Sequence, residues 1–374
     1  MSPFTLTHTS GSARAGLLKT AHGTIETPFF MPAATRASGK YLTTDDYHRI
    51  GIPNIICNSL ILSLRPGTEV IQKAGGLHTF MNFPGIIFTD CGGFQMSRSM
   101  FEKKSEQGLH FRSPYDNRKI VLTPQKIMEI QVQLGSDVAM MLDDMSPYGA
   151  TYEEAQTAMH NTHRWAKESL EAHTIFKKRY SSSQLLFGIV QGNVYPDLRK
   201  ESAQFISSLP FDGIAIGGVA IGEPLEQMYQ AIDVVLPFIP KNQPRYVMGV
   251  GSPLEILDLI ERGIDCFDSV YPAKMSRHSH LFTKNGPLIV DRPKYAQDFT
   301  PLEADCECLT CKNFTRAYLY HLTKIDEPAV KRLKTIHNLF FLTTLLKKSQ
   351  KAIQEGIFSR FKKKVREEYQ SPTS

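Results

Sequence analysis

Short, nearly uninterrupted apolar runs alternate along this chain with longer stretches in which apolar residues recur every third or fourth position. Eight runs stand out: PFFMP (28–32), PNIICN (53–58), GIIFTD (85–90), DVAMMLD (137–143), LLFGIVQ (185–191), GIAIGG (213–218), RYVMGVG (245–251) and IDCFDS (264–269). Such continuity is expected of strands covered on both faces. The segments between them read as helices. Ile127, Ile130 and Leu134 form a helical stripe opened by Thr123 and Pro124. Thr151-Tyr-Glu-Glu starts another helix, with acidic residues in its first turn. Ser252-Pro253 opens a third, which Gly263 ends. Ala329 to Lys348 carries helical spacing through Val330, Leu333, Ile336, Phe340, Phe341 and Leu345. Strand–helix alternation repeated eight times predicts an α/β fold, a (β/α)8 TIM barrel. A doubly wound sheet is the alternative, but no Gly-x-Gly-x-x-Gly follows the first strand. The gaps at 91–136 and 144–184 exceed a simple connection, so insertions are expected in both.

Composition changes this picture little. The 374 residues are 41% hydrophobic and 21% charged, enough to bury a core. No apolar run approaches the roughly 18 residues of a membrane span. The N-terminus lacks a basic start followed by an apolar stretch, so the cytoplasm is the expected compartment and no membrane partner is expected. Charge is more telling. Of the 43 basic and 37 acidic residues, 11 basic and 3 acidic lie in 331–374, a local excess of +8 on a chain whose remainder sums to −2. That asymmetry favours a polyanionic partner, the alternative being a solvated basic tail.

Three of the six cysteines crowd into Cys306-Glu-Cys308-Leu-Thr-Cys311. In a large chain without a secretion signal, such a triplet reads as ligands of a tetrahedral zinc ion. His321 and His337 are both candidates for the fourth ligand. The domain reading is then a catalytic barrel over 1–300, a zinc-binding insertion and helix over 301–345, and a basic C-terminal helix or tail closing the barrel over 346–374.

In such barrels the reactive groups sit at the C-terminal ends of the strands. Those positions carry Asp90, Asp143, Asp144, Gln191, Gly217-Gly218, Met248-Gly249 and Asp268. A single strand-end Asp often only caps a helix. Several converging on one mouth suit glycosidic chemistry, where one carboxylate attacks the anomeric carbon and another handles a proton. Asp90-Cys91-Gly92-Gly93-Phe94-Gln95 sets close-approach glycines and a flat ring beside the first carboxylate.

Taken together these segments resemble the tRNA-guanine transglycosylase family, from about Ala13 to the helix at 345. The most specific pieces are Thr89-Asp-Cys-Gly-Gly-Phe-Gln95, Gly188-Ile-Val-Gln-Gly192, Gly217-Gly-Val-Ala-Ile-Gly-Glu223, Met248-Gly-Val-Gly251, Gly263-Ile-Asp-Cys-Phe-Asp268 and the cysteine triplet with His337. The resemblance implies a barrel enzyme, commonly dimeric, that exchanges guanine at wobble position 34 of GUN-anticodon tRNAs for a 7-deazaguanine without ATP. It implies Asp268 as nucleophile on ribose C1′ and Asp90 as proton acceptor and donor. The base site would comprise Asp90, Cys91, Gly92, Gly93, Phe94, Asp143, Gln191, Gly218, Val219 and Met248, with Phe94 and Met248 sandwiching the base. Gly249, Val250, Gly251, Ser252, Ala273, Lys274, Met275, Ser276 and Arg277 would meet RNA, with the backbone running along Tyr246–Ser252. One structural zinc would sit on Cys306, Cys308, Cys311 and His337.

Some positions depart from the family pattern. Asn58-Ser-Leu-Ile-Leu62 replaces the usual Asn-Thr-Tyr-His-Leu, and Tyr271-Pro-Ala-Lys274 replaces Leu-Pro-Thr-Arg, exchanging a planar fork for a point charge. Met145 and Ile221 match neither the Cys/Val pair of preQ1-accepting members nor the Val/Gly pair of queuine-accepting ones. Ile221, the bulkier choice, points to the small base preQ1. A non-catalytic RNA-binding relative, a carbohydrate-cleaving barrel and an archaeosine-type relative are the competing readings.

Overall fold

The computed structural model describes residues 2–92 and 101–370. All eight apolar runs form strands of one parallel sheet: Phe29–Pro32, Asn54–Asn58, Ile86–Asp90, Val138–Met140, Leu185–Val190, Gly213–Ile216, Arg245–Val247 and Cys266–Ser269. These are called strands 1 to 8 below. Strand 8 pairs with strands 7 and 1, and each of the rest pairs with its neighbours in sequence as far as strand 2. Ala33, just past strand 1, bridges Ile56 of strand 2 in parallel and closes the circle. The continuous apolar character is explained by burial on both sides, helices outside and packed side chains inside. Phe29, Phe88, Phe187 and Tyr246, from strands 1, 3, 5 and 7, meet at ring-centroid distances of 5.8–6.4 Å. They form an interior layer of four from alternate strands, as barrel geometry requires.

The predicted helices are present with their caps. Thr123 accepts from Lys126 N–H ahead of Pro124–Leu134, and Thr151 and Glu154 form a capping box ahead of Tyr152–Arg179. The expectation of two insertions is half met. Residues 101–122 fold into an antiparallel sheet of three strands, Phe101–Ser105, Gly108–Arg112 and Lys119–Leu122. The second long gap instead holds the 28-residue helix Tyr152–Arg179, whose length fills the space assigned to an insertion. Its Trp165 Nε1 and Arg164 Nη2 both donate to Glu106 O, fastening the hairpin turn of the inserted sheet to the barrel wall.

Nothing in the apolar pattern signals the sheet Phe4–Ser10, Ala13–Thr20 and Gly23–Glu26, whose burial is irregular. It covers the N-terminal end of the barrel. Arg14 Nε donates to Asp265 Oδ1 at 3.0 Å just before strand 8, both side chains buried. His22 and His78 stack at 3.5 Å and clasp Asp137 just before strand 4. At the other end of the chain, a second apolar cluster runs from Leu281 to Leu333 and includes Cys308 and Cys311. Helix Pro328–Gln354 belongs to both cores: Val330 and Leu333 lie in the second, Leu339 and Leu346 in the first. The basic helix Phe358–Gln370 buries Phe358, and its Lys362 and Arg366 pair with Asp258 of helix Pro253–Glu261. Part of the C-terminal positive charge is therefore neutralised within the fold. Among the described residues, no helix is long and apolar enough to cross a membrane.

Candidate active site

A cavity of about 550 Å³ opens at the C-terminal ends of the strands, a size suited to a small ligand. Asp90, Asp143 and Asp268 all line it. They come from the ends of strands 3, 4 and 8, and strand 3 also supplies Phe88 to the aromatic layer beneath. Tyr246 of that layer is fully buried and donates its Oη to Asp268 Oδ1 at 2.6 Å. In the segment Tyr246–Ser252, expected to run along RNA, this first side chain thus points into the barrel. Gly249 N–H donates to the same oxygen at 2.9 Å. Both bonds favour the ionised carboxylate, although burial shifts Asp268 upward overall.

Asp90 sits in a different environment. Desolvation, then the facing charge of Asp268 and that of Asp143, push it up to about 8, against the opposing bond from Gly92 N–H. Its Oδ1 is buried without a hydrogen-bond partner among the described residues. Gly92 has φ +81°, and a Cβ there would meet Leu60 Cβ at 2.9 Å and Asn58 Oδ1 at 3.0 Å, so glycine is required. Asn58 in turn caps the short helix after strand 2 by accepting from Ile61 N–H. The persistence of Asn58 in an otherwise altered segment thus has a local structural use.

A stability test follows from the shift at Asp90. An unfolded Asp titrates near 3.9, whereas the folded one titrates near 8. Between those values the folded chain holds a proton that the unfolded chain has released, so stability falls as pH rises across that window. Asp90→Asn removes this penalty. Its melting temperature is expected to equal or exceed that of the parent at pH 8, with the gap narrowing toward pH 4. A variant clearly less stable at pH 8 would contradict the electrostatic account.

Asp143 presents both oxygens to donors: Cys91 Sγ to Oδ1 at 3.4 Å and Gln191 Nε2 to Oδ2 at 2.6 Å. Burial raises its proton affinity. The next residue, Asp144, accepts from Asn161 Nδ2 at 2.9 Å and pairs with Lys104 of the inserted sheet. Lys104, Met145 and Ile221 line the cavity together with Gly218, Val219 and Met248. Gly93 and Phe94 lie outside the described residues. Of the residues expected at the base site, Asp90, Cys91, Gly92, Asp143, Gly218, Val219 and Met248 line this cavity, and Gln191 is bonded to Asp143. Lys104 and Tyr246 are additions that sequence reading missed or misplaced. Lys104 sits in an inserted sheet with no strand-end position to mark it.

The expected RNA-facing segment divides in two. Gly249 and Lys274 are exposed, and Ser252, Ala273, Met275 and Arg277 are half-buried. Val250 is buried, Gly251 packs against Ser269 and Tyr271, and Ser276 is fully buried with Oγ bonded to Thr335 Oγ1 at 2.8 Å. Side-chain contact with a large partner is open only to the first group.

Cys306, Cys308, Cys311 and His337 converge some distance along the chain from this cavity. His337 Nδ1 lies 3.8, 3.5 and 3.3 Å from the three sulfurs in sequence order. A tetrahedral ion about 2.3 Å from sulfur and about 2.0 Å from nitrogen would set edges of roughly 3.5 Å, so the group fits a metal ion. The other ring nitrogen, Nε2, is 2.7 Å from Phe282 O, which as acceptor fixes the tautomer with Nδ1 free to ligate. Of the two candidate histidines, His337 is the one in this group.

Fold and site together define a (β/α)8 barrel with a carboxylate-lined mouth and a three-cysteine, one-histidine metal-ion group. Residues 9–371 match the family model described as Queuine tRNA-ribosyltransferase. Curated proteins of that name are similar to the chain over nearly its whole length. One from Thermoanaerobacter sp. (strain X514) is 46% identical over 96% of this chain and 94% of its own. One from Caldanaerobacter subterraneus subsp. tengcongensis is 45% identical over 96% of this chain and 94% of its own. One from Aeromonas hydrophila subsp. hydrophila is 44% identical over 96% and 94%. The chain belongs to the queuine tRNA-ribosyltransferase family, a family of pentosyl-transferring enzymes.

Proposed function

We propose that this protein exchanges guanine at position 34 of tRNAs with GUN anticodons for preQ1, through a ribosyl ester on Asp268. The observation that carries the reading is the pair Asp268 and Asp90, lining one cavity in unlike surroundings. Asp268 Oδ1 is held by Tyr246 and Gly249, leaving Oδ2 to attack C1′ as the bond to guanine N9 breaks. Asp90, pushed up to about 8, carries a proton at neutral pH and gives it to the departing base. The incoming base returns a proton to Asp90 as its N9 attacks C1′ and releases Asp268. One N-glycosidic bond replaces another of similar energy, so no nucleotide hydrolysis is needed. The wobble base sits in a single-stranded loop, from which it unstacks cheaply.

Asp143 and Gln191 would read the purine edge, helped by the Gly218 and Val219 backbone, with Met248 and Phe94 on the two faces. Exposed Lys274 and half-buried Arg277 would contact the anticodon strand. Ile221 and Met145 both line the cavity, and their bulk favours the compact preQ1 over queuine. Three thiolate donors and an imidazole suit zinc, held structurally by Cys306, Cys308, Cys311 and His337. A cytoplasmic homodimer is proposed on family membership alone, with sedimentation equilibrium as the check on its state.

The test is exchange of labelled guanine into GUN-anticodon tRNA, chased by preQ1 or by queuine. Chase by preQ1 is expected. Chase by queuine alone would transfer the reading to that base, and failure to incorporate guanine would remove it.

A further inference from the structure

Behind the cavity wall lies a cation with no assigned role. Arg199, on the buried face of helix Pro196–Ser207, is fully buried. Among the described residues no carboxylate pairs with it; every hydrogen bond it makes goes to a backbone carbonyl. Nε donates to Asn193 O at 2.5 Å, Nη1 to Val190 O at 3.3 Å and Gly217 O at 2.7 Å, and Nη2 to Gly218 O at 2.8 Å. Burial lowers its proton affinity only to about 10, so it stays charged at neutral pH. Glu223 attracts it from beyond ion-pair distance, and a fully buried cation with only that longer-range support is costly to maintain.

The two glycine carbonyls explain what it does. Gly217, Gly218 and Val219 line the cavity, whereas Arg199 does not. The peptide bonds after Gly217 and Gly218 are trans, so each N–H points opposite its own C=O. Carbonyls turned back to Arg199 leave Gly218 N–H and Val219 N–H turned the other way. Neither amide has a protein acceptor among the described residues. The loop beyond is braced separately, Glu223 accepting from Ala220 N–H and Ile221 N–H. The Gln191 side chain abuts both glycines and reaches Asp143.

We infer that Arg199 is a positioning residue that aims these two amides, with its charge behind them, at an exocyclic oxygen of the bound base. The inference rests on the reading under Proposed function, because that reading places a purine in this cavity.

Guanine and 2-aminopurine, which lacks the 6-oxo group, separate this role from mere structural support. Each is titrated as a competitor of labelled-guanine exchange by the full-length protein and by Arg199→Met. Loss of two aimed donors is expected to weaken guanine roughly ten- to hundredfold while leaving 2-aminopurine within about twofold. Arg199→Lys, which keeps the charge but can hold fewer carbonyls, is expected to fall between. It also serves as the readout if the Met variant does not fold. Equal losses for both bases, or no loss for either, would overturn the inference. Failure of the parent protein itself to exchange guanine would instead remove the underlying function.

Discussion

Asp268→Asn is expected to lower guanine exchange by roughly 10³- to 10⁵-fold, the scale on which removal of a nucleophile is felt. The amide oxygen can still accept from Tyr246 Oη and Gly249 N–H, which now meet Asp268 Oδ1. The variant should therefore fold, bind tRNA and melt near the parent temperature, so that the loss is assignable to chemistry. Denaturing electrophoresis after mixing with tRNA and a competing base should reveal a cross-linked species with the parent and none with the variant. Turnover within tenfold of the parent would place the nucleophile elsewhere. Asp90→Asn leaves the attacking carboxylate in place but removes the proton carrier, and the pH dependence should distinguish the two. With Asp90 titrating near 8, activity that needs its proton is expected to decline as pH rises through that value.

The second large effect concerns the metal-ion group. Cys308→Ser, or exhaustive chelation, is expected to remove about one metal ion per chain, zinc on the present reading, and to melt the surrounding core. Structural zinc supplies on the order of 10 kcal/mol of apparent folding free energy in small zinc modules. Here the cysteines are part of a satellite cluster with Leu281, Leu288, Leu319 and Leu333, too small to hold without a staple. The damage should reach the active-site rim. Helix Pro328–Gln354 ties helix Tyr271–Arg277 down through Thr335 to Ser276 Oγ and Asn338 to Pro272 O. Lys274 and Arg277 lie on that tethered helix. tRNA binding is therefore expected to suffer more than binding of a free base, measurable by filter retention of tRNA beside competition by guanine. A metal-free protein with full activity and an unchanged melting temperature would overturn this account.

Legibility followed the range of the interactions. The eight strands were readable because burial on both faces leaves one-dimensional runs of Ile, Val, Phe and Met. Their C-terminal ends then listed Asp90, Asp143, Gln191 and Asp268 without further information. The cysteine triplet was readable because its ligands are close in sequence. The N-terminal sheet was not legible: its residues show no clean alternation, and it is held by contacts such as Arg14 to Asp265, 251 positions apart. The inserted sheet at 101–122 was located only as a gap, and the second gap was filled by a helix instead.

The order of the residues by itself determined the barrel, the class of chemistry at its mouth and the three cysteines of the group that could hold a metal ion, since each depends on local periodicity or spacing. Tertiary structure alone decided which oxygen of Asp268 is occupied, why Asp90 is pushed toward its protonated form and which carbonyls Arg199 holds. Those outcomes depend on desolvation and on charges brought together from distant strands, and burial in three dimensions has no one-dimensional signature.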